Sequence, residues 1–338
     1  MSVFLGMVIY LGTGLGIFLY GLHLISSYLE ELAGPAMEKS LQRFTANPWI
    51  GALTGTVITA LVQSSTAVTV MTVSLVDKGM MTLEQAVGVI LGANVGTAGT
   101  GVMAALPIRS LAPLLLIAGA ILVLSSSVTE ELRHGAVWKR HLGGRLADRT
   151  KLVGALSKGV GMLLLGMELM QQAMVPYRSS RMLTRMMVGL GHPISGVLGG
   201  AVFTALIQSS SASVAILQSM AAEGMVSLRQ SACIVYGQNI GTCVTALWAS
   251  AHLSPNARGC ARLHLLINLL GTGIFLAADR VIPLTDWVGS WTPGNPAMQV
   301  ANLHLFFNLA STLLLLPFSG MLVKIPLYIS GKKCYCKP

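Results

Sequence analysis

Long apolar stretches alternate with short polar segments along the whole chain of 338 residues. A helix needs roughly 20 mostly apolar residues to cross the hydrocarbon core of a bilayer. Seven stretches of this kind predict seven spanning helices, at 3–25, 86–106, 111–128, 152–175, 231–251, 261–278 and 300–323. The first has no Lys or Arg before it, so it lacks the charged start of a cleavable signal peptide. The pattern predicts an all-α integral membrane protein whose partner is the lipid bilayer.

Two further apolar segments, 48–76 and 193–222, are longer than one span and are interrupted by polar residues. The ten residues TALVQSSTAV at 59–68 return as TALIQSSSAS at 204–213, with seven of the ten identical and an offset of 145 residues (204 − 59). The same offset relates two downstream motifs, GANVGT (92–97) and GQNIGT (237–242). The chain is therefore an internal duplication.

Lys and Arg concentrate in two regions, with seven in 133–158 and four in 324–338. Basic loops stay on the cytoplasmic side of a membrane, so both regions are expected there. Four predicted spans and the segment 193–222 lie between the two regions. They share a side only if that segment enters and leaves by the same face. It is therefore predicted to be a re-entrant helical hairpin (hairpin 2), and the duplication predicts the same for 48–76 (hairpin 1).

The first repeat then crosses the membrane three times, which inverts the second repeat relative to the first. The predicted amino terminus is outside and the carboxyl terminus is cytoplasmic, with hairpin 1 entering from the cytoplasm and hairpin 2 from outside. Three arginines, Arg178, Arg181 and Arg185, then lie outside against the charge rule, outnumbered by the eleven basic residues of the two regions. Inverted repeats with broken helices are typical of secondary transporters.

These boundaries predict five parts of the chain. They are a first transport repeat at 1–132, a basic cytoplasmic linker at 133–151, a second transport repeat at 152–283, an extra spanning helix at 284–323 and a basic cytoplasmic tail at 324–338.

Composition removes several classes of function. Only 10% of the residues are charged and 53% are hydrophobic, with a mean hydropathy of +0.70, whereas an average soluble domain has roughly 25% charged residues. The net charge of +10 lies mainly between apolar segments, so it indicates membrane orientation and not nucleic-acid binding. No nucleophilic triad, phosphate-binding loop or catalytic carboxylate pair occurs, and the five cysteines lack ligand spacing. We predict no enzyme activity, no cofactor and no bound metal centre.

The polar residues at the centre of each hairpin are the candidate site. Tip 1 is Gln63, Ser64, Ser65 and Thr66, and tip 2 is Gln208, Ser209, Ser210 and Ser211. A turn at membrane depth frees backbone groups that lipid cannot satisfy. A helix that begins there presents unpaired N–H groups and a positive dipole end, which suit an oxyanion such as phosphate. Carbonyl and hydroxyl oxygens at the same tips suit Na⁺. The alternative is that these hydroxyls only bond back to carbonyls of their own helices.

Two other sets of polar residues lie in apolar surroundings. Asn94, Thr97, Asn239 and Thr242 occupy matching places beside glycines and are predicted to line the site, the alternative being helix packing. His264 and Asn268, like His304 and Asn308, lie four residues apart on one helical face. Hydrogen bonding between scaffold helices is the main interpretation of these pairs, and gating or proton sensing is the other.

The doubled QSS(S/T) with its TAL lead-in and the GANxGT follow-up resemble the sodium/phosphate cotransporter family. The resemblance covers nearly the whole chain. It implies sodium-coupled symport of inorganic phosphate by alternating access across the cell membrane, with Na⁺ as coupling ion and both tips forming the substrate and ion sites. Thr66 departs from the serine that the family often has there. Many bacterial members append a cytoplasmic regulatory domain, and none is expected here after 323.

Two other functions use the same residues. A phosphate exporter or a passive anion channel could be built from the same pair of hairpins.

Overall fold

The residues that the structure describes fold mainly into α-helices. The structure, a computed structural model, describes residues 2–43, 45, 47–134, 142–177 and 189–329. Within these ranges the α-helices are α1 (Ser2–Arg43), α2 (Pro48–Val62), α3 (Ser65–Asp77), α4 (Leu83–Ala105), α5 (Ala112–His134), α6 (Leu142–Met174), α7 (Pro193–Ile207), α8 (Ser210–Ala222), α9 (Leu228–Gly241), α10 (Cys243–Ala249), α11 (Pro255–Val281), α12 (Leu284–Gly289), α13 (Pro296–Leu315), α14 (Ser319–Leu322) and α15 (Lys324–Ile329). The described residues form no β-strand. The predicted all-α class is confirmed.

Six helical stretches in the described residues are long and apolar enough to cross a membrane. They are Val8–Glu31, Leu83–Ala105, Arg109–Val128, Asp148–Tyr177, Pro255–Val281 and Pro296–Leu322. The seventh predicted span, 231–251, is interrupted at Thr242, which separates α9 from α10. The Thr242 hydroxyl donates to the Asn239 carbonyl oxygen at 2.6 Å, and such back-bonding bends a helix. Arg178, Arg181, Arg185 and parts of both basic regions lie outside the described residues.

Two compact units make up the fold, and neither coincides with one repeat. The first unit contains Met1–Ala33 and Leu106–Val175, so it joins most of α1 to α5 and α6. A Cβ atom on Gly14 would lie 2.9 Å from the Gly166 oxygen, and one on Gly21 would lie 2.6 Å from the Gly159 oxygen. The offset of 145 relates Gly14 to Gly159 and Gly21 to Gly166. Gly14 therefore packs against the counterpart of Gly21, and Gly21 packs against the counterpart of Gly14. Two antiparallel helices related by a two-fold axis make contacts of this kind.

The second unit contains Gly34–Ala105 and Pro176–Pro338, and it holds both hairpins. Glycines let each hairpin approach the helix that follows it in the chain. A side chain at Gly92 on α4 would overlap the Ala52 oxygen of α2, and one at Gly237 on α9 would overlap the Val197 oxygen of α7. Both pairs are related by the offset of 145. The two hairpins are therefore held by the same backbone contact.

A second relationship links α11 and α13 in this unit. The Thr272 hydroxyl donates to the backbone carbonyl oxygen of Tyr236 on α9 at 3.3 Å. The Thr312 hydroxyl donates to the backbone carbonyl oxygen of Leu91 on α4 at 3.2 Å. The acceptors are 145 residues apart (236 − 91) and the donors are 40 apart (312 − 272). The position of α13 relative to α4 therefore matches the position of α11 relative to α9. His264 on α11 and His304 on α13 are also 40 residues apart (304 − 264), so they occupy corresponding places on the two helices.

Candidate functional site

Each polar tip is a sharp turn between two short helices. Gln63 has φ 58° and ψ 22° and Gln208 has φ 57° and ψ 21°, while Ser64 and Ser209 are extended. In hairpin 2 the Thr204 hydroxyl donates to the Ser213 hydroxyl at 2.8 Å. Residues nine apart in one straight helix would be separated by roughly 13 Å, so the chain folds back at the tip.

Glutamine is an unexpected choice at this turn. Left-handed backbone favours glycine and costs roughly 1–2 kcal/mol for a residue with a Cβ atom. In tip 1 the side chain explains the choice, because the Gln63 Oε1 atom accepts a hydrogen bond from the Thr100 hydroxyl of α4 at 2.7 Å. Its Nε2 atom donates to the Ala60 carbonyl oxygen. The turn is therefore fastened to the neighbouring helix through this side chain.

The second residue of each tip caps the helix that follows. The Ser64 hydroxyl accepts from the Ala67 N–H of α3, and the Ser209 hydroxyl accepts from the Ala212 N–H of α8, both at 3.2 Å. The N–H groups of the first helical turn have no partner within an α-helix. Ser65 of α3 and Ser210 of α8 therefore begin helices whose positive ends lie at the tips.

A small cavity lies beside tip 1. It is lined by Ser65, Thr66, Thr69, Thr242, Ala246 and His264. Its free space of about 10 Å³ is about the least that holds one water molecule. Because Ser65 belongs to the first repeat and Thr242 to the second, the cavity joins residues of both repeats.

Three buried polar atoms at this cavity have no hydrogen-bond partner. They are the Thr69 hydroxyl oxygen and both ring nitrogens of His264. Each of the two residues is only 3% exposed. An unpaired buried polar group costs roughly 1–3 kcal/mol. Thr69 and His264 both line the cavity, so a polar occupant there would offer them hydrogen-bond partners.

The structure brings together three of the twelve residues that the sequence predicts. Ser65, Thr66 and Thr242 line the cavity, whereas the remaining nine are not among its lining residues. Thr69 and Ala246 were not predicted, and His264 was assigned mainly to helix bonding. The spacing of Thr69 in the sequence indicates its place at the cavity. It follows Ser65 by four residues and therefore lies on the same face of the helix.

Several other predicted residues are engaged in structural hydrogen bonds. The Asn94 amide donates to the Asn268 Oδ1 atom at 3.2 Å, which links α4 to α11 as predicted for the scaffold asparagine. Thr97 and Asn239 bond back to carbonyl oxygens of their own helices, at 3.0 and 2.9 Å. In tip 2, Ser210 and Ser211 are buried and Gln208 is exposed.

The hairpins also pack crosswise against the opposite repeat. The Gln218 Nε2 atom of α8 donates to the Gly101 carbonyl oxygen of α4 at 2.8 Å. Val214 of α8 would touch a Cβ atom on Gly101 at 3.4 Å. By the offset of 145, Val214 corresponds to Thr69, and Gly101 corresponds to Ala246. Thr69 and Ala246 both line the cavity. Each hairpin therefore faces the other repeat through equivalent residues.

The cavity offers hydroxyls and an imidazole but no charged group. None of the residues that line the cavity is Asp, Glu, Lys or Arg. Among the residues that the structure describes, no three His, Cys, Asp or Glu side chains are grouped to hold a metal ion. The chemistry present is therefore that of hydrogen-bond donors at a helix N-terminus, which suits an anion.

The model of the Na⁺/Pi-cotransporter family matches the chain twice, over residues 17–140 and 162–284. The chain belongs to the Na⁺/Pi-cotransporter family. The two matches begin 145 residues apart (162 − 17), which is the offset of the polar tips. The resemblance read from the tips is confirmed.

Relatives differ in how much of their length the chain covers. It is 29% identical over 315 residues to YqeW of Bacillus subtilis, whose name assigns no function, covering 91% of this chain and 93% of that protein. It is 28% identical over 312 residues to Escherichia coli YjbB, whose name proposes export of inorganic phosphate, covering 92% of this chain and 53% of that protein. The chain thus spans about half the length of YjbB.

A shorter region matches a human protein. The chain is 34% identical over 91 residues to human sodium-dependent phosphate transport protein 2B, covering 26% of this chain and 13% of that protein. No solved structure matches the chain. Membership makes this a multi-pass membrane protein of phosphate transport. The family comprises transporters and not enzymes, so the prediction that the chain is no enzyme is confirmed.

Proposed function

We propose that the protein is a sodium-coupled symporter of inorganic phosphate that works by alternating access, with both hairpins contributing to one substrate and ion site. The observation that carries this proposal is the cavity that joins Ser65 and Thr66 of tip 1 to Thr242 of the second repeat. Inverted-repeat transporters bind their substrates at such junctions of broken helices.

The tips supply different chemistry to the two ions. The first-turn N–H groups and hydroxyls of Ser65 and Thr66, with their counterparts Ser210 and Ser211, attract the oxygens of phosphate. The helices that end at the tips, α2 and α7, bring carbonyl oxygens and the negative ends of their dipoles. Na⁺ prefers such oxygen ligands, so the coupling ion is placed at the same tips. No further cofactor is expected.

A difference between the two repeats supports alternating access. Thr100 bonds to Gln63 in the first repeat. The corresponding residues, Thr245 and Gln208, share no hydrogen bond in the described structure, and Gln208 is exposed. Inverted repeats reach their second state by exchanging conformations. In the opposite-facing state, Thr245 would hold Gln208 and Thr100 would release Gln63.

Loop charge sets the proposed orientation. The basic regions 133–158 and 324–338 place the carboxyl terminus in the cytoplasm and the amino terminus outside. Hairpin 1 then opens to the cytoplasm and hairpin 2 to the outside. The membrane is the cell membrane, that is, the plasma membrane or the bacterial inner membrane.

Phosphate export is the second candidate, because the name of YjbB proposes it for a relative matched along most of this chain. A passive anion channel is the third. Gradients set the direction of a coupled carrier, whereas a channel needs no coupling ion and does not saturate over the same range.

Purified protein in liposomes tests the proposal. Labelled phosphate should accumulate inside only when Na⁺ is higher outside, and uptake should saturate with phosphate. Uptake that is the same when K⁺ replaces Na⁺ would defeat the coupling. Phosphate flux that never saturates would support the channel, and Na⁺-independent efflux from loaded vesicles would support the exporter.

A further inference from the structure

Asp77 of hairpin 1 completes the amino-terminal cap of α11. Its Oδ1 atom accepts a hydrogen bond from the backbone N–H of Ser254 at 2.8 Å, although the two residues are 177 apart in the chain. The Ser254 hydroxyl in turn accepts from the Ala257 N–H inside the helix. Asp77 is the last residue of α3, so this bond joins the end of hairpin 1 to the start of a spanning helix.

Two other helices of the same unit make this kind of cap from their own residues. In α4 the Gln85 side chain accepts from the N–H of the capping Thr82, and in α9 the Gln230 side chain accepts from the N–H of the capping Ser227. Both are capping boxes, in which the third residue after the cap supplies the second bond. In α11 that residue is Ala257, whose side chain has no acceptor. The second bond of this cap therefore comes from hairpin 1 and is made only while α3 lies against α11.

The two helices that this bond joins also form walls of the cavity. Three of the lining residues belong to α3, and His264 belongs to α11. Between the cavity and Asp77, the two helices bury apolar residues in one cluster, which includes Val73, Val76 and Cys260. We call this contact, between 65–77 and 254–264, the seam. It extends from the cavity at one end to the Asp77–Ser254 bond at the other.

The cavity is too small for the proposed substrate while the seam is closed. Its free space of about 10 Å³ is about the least that holds one water molecule, and a phosphate ion is much larger. One wall must therefore move when the ion enters or leaves. The α11 wall is bonded to both neighbouring helices, because Asn94 of α4 donates to Asn268 and Thr272 donates to the Tyr236 carbonyl oxygen of α9. This leaves α3 as the wall that moves.

We propose that the seam is the cytoplasmic gate of the transport site and that Asp77 is a positioning residue that latches it closed. In the proposed orientation, hairpin 1 opens to the cytoplasm, and the Asp77–Ser254 bond lies at the cytoplasmic end of the seam. Opening the seam breaks this bond and removes a carboxylate from the positive end of α11. This inference rests on the proposed function and adds the residue that holds one of its two gates.

The end of hairpin 2 has no carboxylate at the equivalent position. By the offset of 145, Ala222 corresponds to Asp77, and its side chain has no acceptor. Beside hairpin 2, α13 takes the place of α11. Its capping residue, Asn295, donates its own N–H to the nearby Thr292 carbonyl oxygen at 3.3 Å. The latch therefore favours closure toward the cytoplasm without a matching effect on the outer gate.

The native Cys260 tests whether the seam opens. It is fully buried and shares a helical face with His264, which follows it by four residues. In inside-out vesicles of protein whose other four cysteines are replaced, an impermeant maleimide should label Cys260 only when the seam opens. Asp77→Ala should raise the labelling rate about fivefold, because a hydrogen bond to a partly exposed carboxylate contributes about that factor. Asp77→Asn keeps an acceptor oxygen and should raise the rate less.

Cys233 distinguishes gate opening from general unfolding. It is buried on α9 against Gly196 of α7, so it belongs to the hairpin 2 side. In right-side-out vesicles of protein that keeps only Cys233, Asp77→Ala should not raise the labelling rate. A rise at both cysteines would show that Asp77 only supports the fold, and it would overturn the latch.

Asp286→Ala is the matched control for loss of a carboxylate. Asp286 lies 3.5 Å from Arg229 in an exposed ion pair, and it is not part of the seam. Its replacement should leave the labelling rate of Cys260 at the wild-type value.

The possible failures are distinguishable, because labelling of Cys260 does not require transport. Wild-type protein that moves no phosphate in either direction defeats the proposed function. Protein that transports phosphate but shows an unchanged Cys260 rate in Asp77→Ala overturns the latch alone. A rate raised as much by Asp77→Asn as by Asp77→Ala would also overturn it, because the acceptor oxygen would then have no effect.

Discussion

The Thr100 hydroxyl donates to the Gln63 side chain across 2.7 Å and thereby fastens the tip of hairpin 1 to α4. The next residue, Gly101, accepts a hydrogen bond from Gln218 of hairpin 2 through its carbonyl oxygen. Two consecutive residues of one helix therefore contact both hairpins. A shift of α4 would be felt at both, which a two-state carrier requires.

Thr100→Val should destabilise the state in which Gln63 is held. The loss of one hydrogen bond costs about 1 kcal/mol, which is about fivefold in the equilibrium between the two access states. Thr245→Val, at the corresponding position, should shift that equilibrium in the opposite direction. Accessibility of single cysteines to an impermeant reagent from each side measures the shift. The idea fails if both variants move the equilibrium the same way.

Gln63→Gly should separate the fold of the turn from its function. Glycine adopts the left-handed backbone at 58° without strain, so the melting temperature should stay the same or rise. Transport should fall by up to about fivefold because the bond to Thr100, worth about 1 kcal/mol, is lost. Lower stability together with unchanged transport would show that the side chain only supports the fold.

Serines at neighbouring positions of the tips should respond differently to alanine. Ser65→Ala and Ser210→Ala remove first-turn hydroxyls and should reduce transport much more than expression. Ser64→Ala removes a helix cap that accepts from Ala67 and should cost about 1 kcal/mol of stability. Phosphate uptake normalised to folded protein distinguishes the two effects. Equal losses of uptake and of folded protein in Ser65→Ala would indicate a packing role.

Glycine substitutions on α4 should depend on which face they occupy. Gly92→Ala would force a methyl group into the Ala52 carbonyl and should strongly reduce the yield of folded protein. Gly99→Ala is the matched control, because nothing lies within 4 Å of its added carbon. Alanine also has the higher helix propensity, by about 1 kcal/mol, so Gly99→Ala should fold at least as well as wild type. Equal yields of both variants would contradict the packing of α2 on α4.

Cysteine labelling should reveal the inverted hairpins directly. Met80 and Met225 follow the two hairpins at corresponding positions (225 − 80 = 145). In a protein with its native cysteines replaced, Met80→Cys should react with an impermeant maleimide only from the cytoplasm and Met225→Cys only from outside. Reaction of both from one side would refute the inverted topology.

The sequence predicted the hairpins because two independent signals agreed on them. The duplication located the tips, and loop charge required the segment between the basic regions to return to its starting face. The kink at Thr242 was missed, because apolar periodicity continues through a residue whose hydroxyl bends the helix locally. His264 was assigned mainly to helix bonding, because the sequence cannot show that Asn268 alone makes those bonds while the ring stays unpaired.

The pairing of α11 with α13 changes the meaning of the last spanning helix. By sequence it is an addition to a duplicated chain, yet its Thr312 contacts Leu91 as Thr272 contacts Tyr236. A gene truncated just before Pro296 would therefore not yield a minimal carrier of two repeats. It would yield a lopsided one, in which α11 still packs against α3 of hairpin 1 but α8 of hairpin 2 has lost its contact with α13.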